Sequence, residues 1–225
     1  MHSIPRWCGT LVVCLLLLSP ATRAGEHQPL QHTTQHDPAA QRIVFVGDSL
    51  TAGYGLAPTQ AFPALIQDKI TAQGWPFRVV NAGLSGDTTA AGLRRINWVL
   101  QQPLAVLVLA LGANDGLRGL PVDAAQRNLQ AMIDRTREKN PASKIVLAGM
   151  QAPPNLGPDY TARFRAIFPT LATANGTALV PFLLEGVGGI PSLNLPDGIH
   201  PTAAGHQRIA ETVWQVLEPV LRDLR

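Results

Sequence analysis

Cysteine is nearly absent from this 225-residue chain; Cys8 and Cys14 are the two it has. Both fall in a segment that reads as removable. Arg6 gives the first 24 residues a positive start, Leu11 to Leu18 are apolar apart from Cys14, and Thr22-Arg23-Ala24 offers small residues for cleavage. That is the pattern of a secretory signal, too short for a stable membrane span. The alternative is an uncleaved anchor. Neither cysteine has before it the small residues of a lipoprotein site. Without residues 1–24 no thiol remains, which excludes disulfides and thiolate chemistry. Arg6 and Arg23 are lost too, leaving sixteen basic residues against fifteen acidic ones. A net charge of +1 gives no support for binding nucleic acid or a phospholipid surface by charge. No later run is apolar enough to span a bilayer. The expectation is an exported, soluble domain, periplasmic or secreted.

Histidine is scarce as well. Of six, His27, His32 and His36 lie in the polar stretch 25–41, which reads as a flexible leader. Their spacing fits no closed metal site; a weak metal-binding tail is the alternative. His200 and His206 are left for the domain at 42–225. Three motifs are missing outright. No Gly-x-Ser-x-Gly occurs, so a strained nucleophile elbow is not indicated. There is neither a Gly-x-Gly-x-x-Gly after a strand nor a phosphate-loop lysine, so nucleotide use is not expected.

What the chain does have is alternation. Ile43–Val46 is a short β-branched and aromatic run of the kind that forms a buried parallel strand. Further strands are expected at Phe77–Asn81, Leu104–Leu111, Lys144–Ala148 and Thr177–Val180, with the most apolar, Leu104–Leu111, in the centre. Helices are expected at about Ala61–Gln73, from Thr88 to about Leu100, at Val122–Lys139, at Tyr160–Ala174 with a break near Pro169, and at Thr202–Leu221. Strands alternating with helices give an α/β fold, a parallel sheet covered on both faces. With one composition regime and no repeat, the run is a single domain.

Reactive groups in such sheets collect beyond the carboxyl ends of the strands. Gly47-Asp48-Ser49-Leu50 follows the first strand, so Ser49 stands where a nucleophile is commonly placed; a helix cap is the plain alternative. Asp197-Gly198-Ile199-His200-Pro201 precedes the last helix. It lets one loop present an imidazole and the carboxylate that fixes its tautomer, or lets Asp197 merely cap. His206, two turns into that helix, reads as a surface or packing residue. Three groups could donate to an oxyanion: Ser49 N–H, Gly86 N–H, which lacks a Cβ to keep partners away, and the Asn114 amide. A turn at Gly86 and an Asx turn at Asn114 are the alternatives.

Taken together and in order, Gly47-Asp48-Ser49-Leu50, Gly86, Gly112-Ala113-Asn114-Asp115 and Asp197-Gly198-Ile199-His200-Pro201 resemble the four blocks of the GDSL, or SGNH, hydrolase family. The likeness runs from about Arg42 to Leu221. Ser-Gly-Asp-Thr around Gly86 and Asn114–Gly119 are similar to the bacterial periplasmic thioesterase, lysophospholipase and arylesterase group. The resemblance implies a flavodoxin-like three-layer α/β/α sandwich with five parallel strands. It implies Ser49 as nucleophile, His200 as base, Asp197 as its orienter, and Ser49, Gly86 and Asn114 as oxyanion donors. The implied enzyme is a serine esterase that cleaves carboxylic esters and thioesters through an acyl-Ser49 intermediate. It would need no cofactor and no metal, and would work as a monomer on a small ester, thioester or lysophospholipid. A carbohydrate O-deacetylase of the same family is the alternative, and a non-catalytic flavodoxin-like binding module a more distant one. Leu117, Leu120, Pro153, Pro154 and Leu156, in loops flanking the catalytic edge, are expected to form an apolar groove.

Overall fold

The computed structural model describes residues 40–225 and His2. The signal segment and almost all of the expected leader lie outside the described residues. In chain order the elements are β1 (Gln41–Gly47), α1 (Ser49–Ala52), α2 (Phe62–Ala72), β2 (Phe77–Gly83), α3 (Thr89–Val99), β3 (Val106–Ala110), α4 (Ala113–Leu117), α5 (Val122–Lys139), β4 (Lys144–Ala148), α6 (Pro158–Asn175), β5 (Ala178–Val180) and α7 (Ala203–Arg222). β1 starts at Gln41, one residue before the expected domain start.

All strand pairs are parallel and the sheet order is β2-β1-β3-β4-β5. β3 is the middle strand, and all five of its residues are buried. β1 is buried from Ile43 to Gly47. An unbroken apolar run is what a strand needs when helices cover both of its faces. With right-handed crossovers, this strand order sends α2 and α7 to one face and α3, α5 and α6 to the other. α2 accordingly packs on α7, and α5 packs on both α3 and α6. The three-layer sandwich implied by the sequence is the fold. Strand order reverses between β1 and β3, and a cleft opens at the carboxyl ends of strands at such a point.

The break expected in α6 is absent; the helix runs through Pro169 from Pro158 to Asn175. Pro169 lies on the exposed side, where water can satisfy the carbonyl that loses its partner. Phe164, Phe168 and Leu171 are buried on either side of it, and their burial holds the helix together across the missing hydrogen bond.

Candidate active site

Ser49 opens α1, directly after β1. Asp48 caps this short helix, accepting from Leu50 N–H at 3.0 Å. The capping role and the nucleophile position, alternatives in the sequence, thus fall on adjacent residues. α1 can lie against the end of β2 because position 83 has no side chain: a Cβ on Gly83 would come within 2.4 Å of Ala52 N. Asp48 is buried, with Oδ2 meeting no hydrogen-bond partner among the described residues. Burial pushes its carboxyl up to about 7.

The loop before α7 brings His200 to Ser49. His200 Nε2 lies 3.0 Å from Ser49 Oγ, and His200 Nδ1 lies 2.7 Å from Asp197 Oδ2. With Nδ1–H donating to the carboxylate, Nε2 is left as an acceptor for the serine hydroxyl. Asp197 Oδ1 also accepts from the backbone N–H groups of Ile199 and His200, both at 2.9 Å. The carboxylate therefore turns the loop and holds the ring at once. The hydrogen bonds from the His200 backbone, its ring and the Ile199 backbone hold Asp197 down at about 2. Tyr54, which no sequence motif marks, lays its ring 4.4 Å from the imidazole.

The expected oxyanion donors lie on neighbouring segments: Ser49 opens α1, Gly86 is in the loop after β2, and Asn114 is on α4. Ser49 N–H is the first of its helix and so has no intrahelical acceptor. Gly86 N–H meets no acceptor among the described residues. Glycine at 86 has a conformational reason beside the one expected. A Cβ there would touch nothing, but φ is +85°, a conformation that L side chains rarely adopt. Asn114 Nδ2 donates to the Asp87 carbonyl at 3.0 Å. That ties the third donor to the loop of the second. Arg95, on α3, locks the same loop: Nε donates to Asp87 Oδ2 at 2.6 Å and Nη2 to the Gly47 carbonyl at 3.0 Å. Nothing in the sequence singles out Arg95, because the contact joins a helix to two loop ends in space.

His206 is apart from this group. It is fully buried, accepts from Phe62 N–H through Nδ1 at 3.1 Å, and stacks on the Phe62 ring. It is the packing residue of the two options. Burial, with the His200 charge adding to it, lowers its imidazole to about 4.

A cleft of about 550 Å³ opens beside Ser49 and His200. Leu117, Pro153 and Pro154 line it as expected. Leu120 and Leu156 do not. The Leu120 carbonyl is held by Tyr160 Oη at 2.7 Å, and Leu156 leans toward Gly119. Their places are taken by Met150, Phe182, Leu184 and Ile199. Phe182 and Leu184 follow β5, so the rule that sites gather at carboxyl ends of strands could have found them.

A serine hydrogen-bonded to a carboxylate-held imidazole, at this edge and beside an apolar cleft, is the equipment of an α/β serine hydrolase. Residues 45–208 match the GDSL-like lipase/acylhydrolase family, and the chain belongs to it and hydrolyses esters. It is 44% identical over 184 residues to esterase TesA of Pseudomonas aeruginosa, covering 81% of this chain and 90% of that protein. It is 37% identical over 187 residues to thioesterase 1/protease 1/lysophospholipase L1 of Escherichia coli K12, covering 81% and 86%. The structure of the psychrotrophic esterase EstA from Pseudoalteromonas, inhibited by monoethylphosphonate, superposes with a TM-score of 0.76 at 31% identity. It covers 81% of this chain and 99% of that one.

Proposed function

We propose that Ser49 is the nucleophile, His200 the base and Asp197 its orienter in hydrolysis of fatty acyl esters and thioesters. The observation that carries this reading is the hydrogen-bonded chain Ser49–His200–Asp197, at 3.0 and 2.7 Å. Ser49 Oγ attacks the carbonyl carbon while His200 Nε2 takes the hydroxyl proton. The carbonyl oxygen gains the negative charge and is met by Ser49 N–H, Gly86 N–H and the free Asn114 amide proton. Collapse breaks the bond to the alcohol or thiol, which leaves with the proton from His200. Water, deprotonated by the same imidazole, then attacks the acyl-Ser49 ester and releases the acid. No step calls for a metal or cofactor.

Apolar walls from Met150, Phe182, Leu184 and Leu117 favour an acyl chain over an acetylated sugar. The names of the relatives, a thioesterase and lysophospholipase among them, extend the proposed substrates to thioesters and lysophospholipids. Inhibition of EstA by a phosphonate supports a tetrahedral intermediate on serine. Residues 1–24 are proposed to direct export and be removed, leaving a monomer in the periplasm or outside the cell. No described helix is long and apolar enough to cross a membrane.

Ser49→Ala tests the assignment. Its kcat should fall by roughly 10⁴-fold or more with the fold kept, and a fluorophosphonate should label the parent chain at Ser49 but not the variant. More than a tenth of the parent activity would remove Ser49 from its role. The acyl range is read from kcat/KM for p-nitrophenyl acetate through palmitate. Each methylene buried in the cleft contributes up to about 0.8 kcal/mol, so kcat/KM should rise for several carbons and then level. A steep fall beyond acetate, with turnover of acetylated xylan, would point to a deacetylase instead.

A further inference from the structure

Six large hydrophobic side chains are exposed among the described residues: Tyr54 (52%), Leu84 (54%), Trp98 (69%), Leu117 (44%), Ile190 (39%) and Ile199 (43%). Scattered single exposures would need no account, but a cluster does. Five of these six belong to segments at the catalytic edge of the sheet. Leu117 and Ile199 line it. Tyr54 packs on His200. Leu84 is pinned to the end of β1, its N–H donating to the Gly47 carbonyl at 3.0 Å. Ile190 is held by Asn194, a cleft residue whose Nδ2 donates to the Ile190 carbonyl at 2.8 Å. Trp98 alone lies elsewhere, near Arg42 and Gln101 at the opposite end of the sheet.

An acyl chain in the cleft covers Leu117 and Ile199. It leaves Tyr54, Leu84 and Ile190, which are not among the cleft walls, in water. The apolar surface is therefore wider than the cleft needs. A protein partner or a second copy seated on this rim would close the mouth between Leu117 and Ile199 and stop turnover. A lipid aggregate would cover the same side chains and deliver substrate through the mouth. Arg118 stands beside the rim, its Nη2 donating to the Gly86 carbonyl at 3.2 Å. It forms no ion pair among the described residues, which leaves its charge for a lipid phosphate. We infer that the catalytic edge is a lipid-docking surface, on which Tyr54, Leu84, Leu117, Ile190 and Ile199 settle into a phospholipid or lysophospholipid aggregate around the open cleft. The attraction is apolar, so the near-neutral net charge is no obstacle. The inference rests on the acyl-ester reading of the cleft.

Two measurements test it. Hydrogen exchange is followed on the full chain carrying Ser49→Ala, with and without phosphatidylcholine vesicles. Protection should appear in peptides spanning Leu84, Leu117, Ile190 and Ile199, and not around Trp98. The readout is local, so vesicle binding through residues 1–24 cannot imitate it. No protection at those four positions overturns the proposal. In the second measurement, myristoyl lysophosphatidylcholine is hydrolysed across its micelle threshold by the parent and by the double variant Leu84→Gln, Ile190→Gln. The parent should gain rate above the threshold. The double variant should lose at least about tenfold of that gain while its turnover of p-nitrophenyl butyrate stays within about twofold. A fall shared equally by both substrates overturns the proposal, as does an undiminished gain. So does a dimer that the double substitution dissolves, which would assign the rim to a second copy. If the parent cleaves no ester, the acyl-ester reading fails, and the exchange data still report on the surface by themselves.

Discussion

Asn114 carries two amide protons, and the Asp87 carbonyl takes one. The other meets no acceptor among the described residues; on the proposed mechanism it would donate to charge that develops on substrate, and Asn114→Ala removes it together with the tether to Asp87. Loss of one oxyanion donor costs about 10²–10³ in kcat, near 3–4 kcal/mol. KM should hardly move, because the lost bond belongs to the transition state; steady-state kinetics on one soluble ester checks both. A large rise in KM at unchanged kcat would make Asn114 a ground-state binding residue instead. At this scale the sequence named side chains that the fold brings together, Ser49, His200 and Asp197, and left some of their reasons open. Asp197 turns a loop and orients a ring, where the spacing had offered these as rivals. Gly86 also answers to a φ of +85°, which its sequence neighbours do not reveal. Tyr54 and Arg95 were illegible because their partners are 146 and 48 residues away for Tyr54–His200 and Arg95–Gly47.

Helix α1 places Ser49, yet it has four residues and no periodicity to read. Its position is set by β1, which it continues, and by Gly83, which lets Thr51 and Ala52 approach β2. A Cβ at 83 would lie 2.4 Å from Ala52 N and 2.8 Å from the Thr51 carbonyl carbon. Both are backbone atoms and cannot rotate away. In Gly83→Ala, α1 must shift, and Ser49 with it. A displacement of about 1 Å at a nucleophile costs on the order of 10² in rate, and overpacking costs about 1–3 kcal/mol of stability. The variant should therefore lose kcat and Tm together, measured by ester turnover and thermal unfolding, with fluorophosphonate labelling slowed in parallel. Unchanged labelling would mean that α1 has slack the packing does not show. The long elements were the legible ones. β3 and β4 announced themselves as apolar runs, and α5 was bounded as expected at Val122 and Lys139. α4, five residues long, was missed for the same reason as α1. Pro169 was over-read, because the rule for proline assumes a buried carbonyl and this helix offers an exposed one.

Two buried ionisable groups, Asp48 at the cap of α1 and His206 on α7, give the whole molecule a pH dependence that neither shows alone. Asp48 is raised from 3.8 to about 7 by burial. Between those values the folded chain holds a proton that the unfolded chain has released, so stability falls as pH rises. His206 is lowered from 6.5 to about 4 by burial. Between those values the unfolded chain holds the extra proton, so stability falls as pH drops. At 1.36 kcal/mol per unit, each group amounts to about 3–4 kcal/mol over its full window. From about pH 4 to 6.5 the two slopes are equal and opposite. The parent should therefore be nearly level there in urea unfolding, and its stability should drop only further into acid, where Asp197, held at about 2, takes up its proton. Asp48→Asn keeps a competent cap and removes one of the two slopes. Its stability should fall by about 1.4 kcal/mol for each unit of acidification between pH 6.5 and 4, and it should exceed the parent above pH 7. His206→Gln removes the other slope and should tilt the same interval in the opposite sense, on top of the loss from the His206–Phe62 contact. Unfolding curves for the three proteins at several pH values in that interval decide the matter: parallel profiles would mean that Asp48 and His206 titrate alike in the folded and unfolded chains.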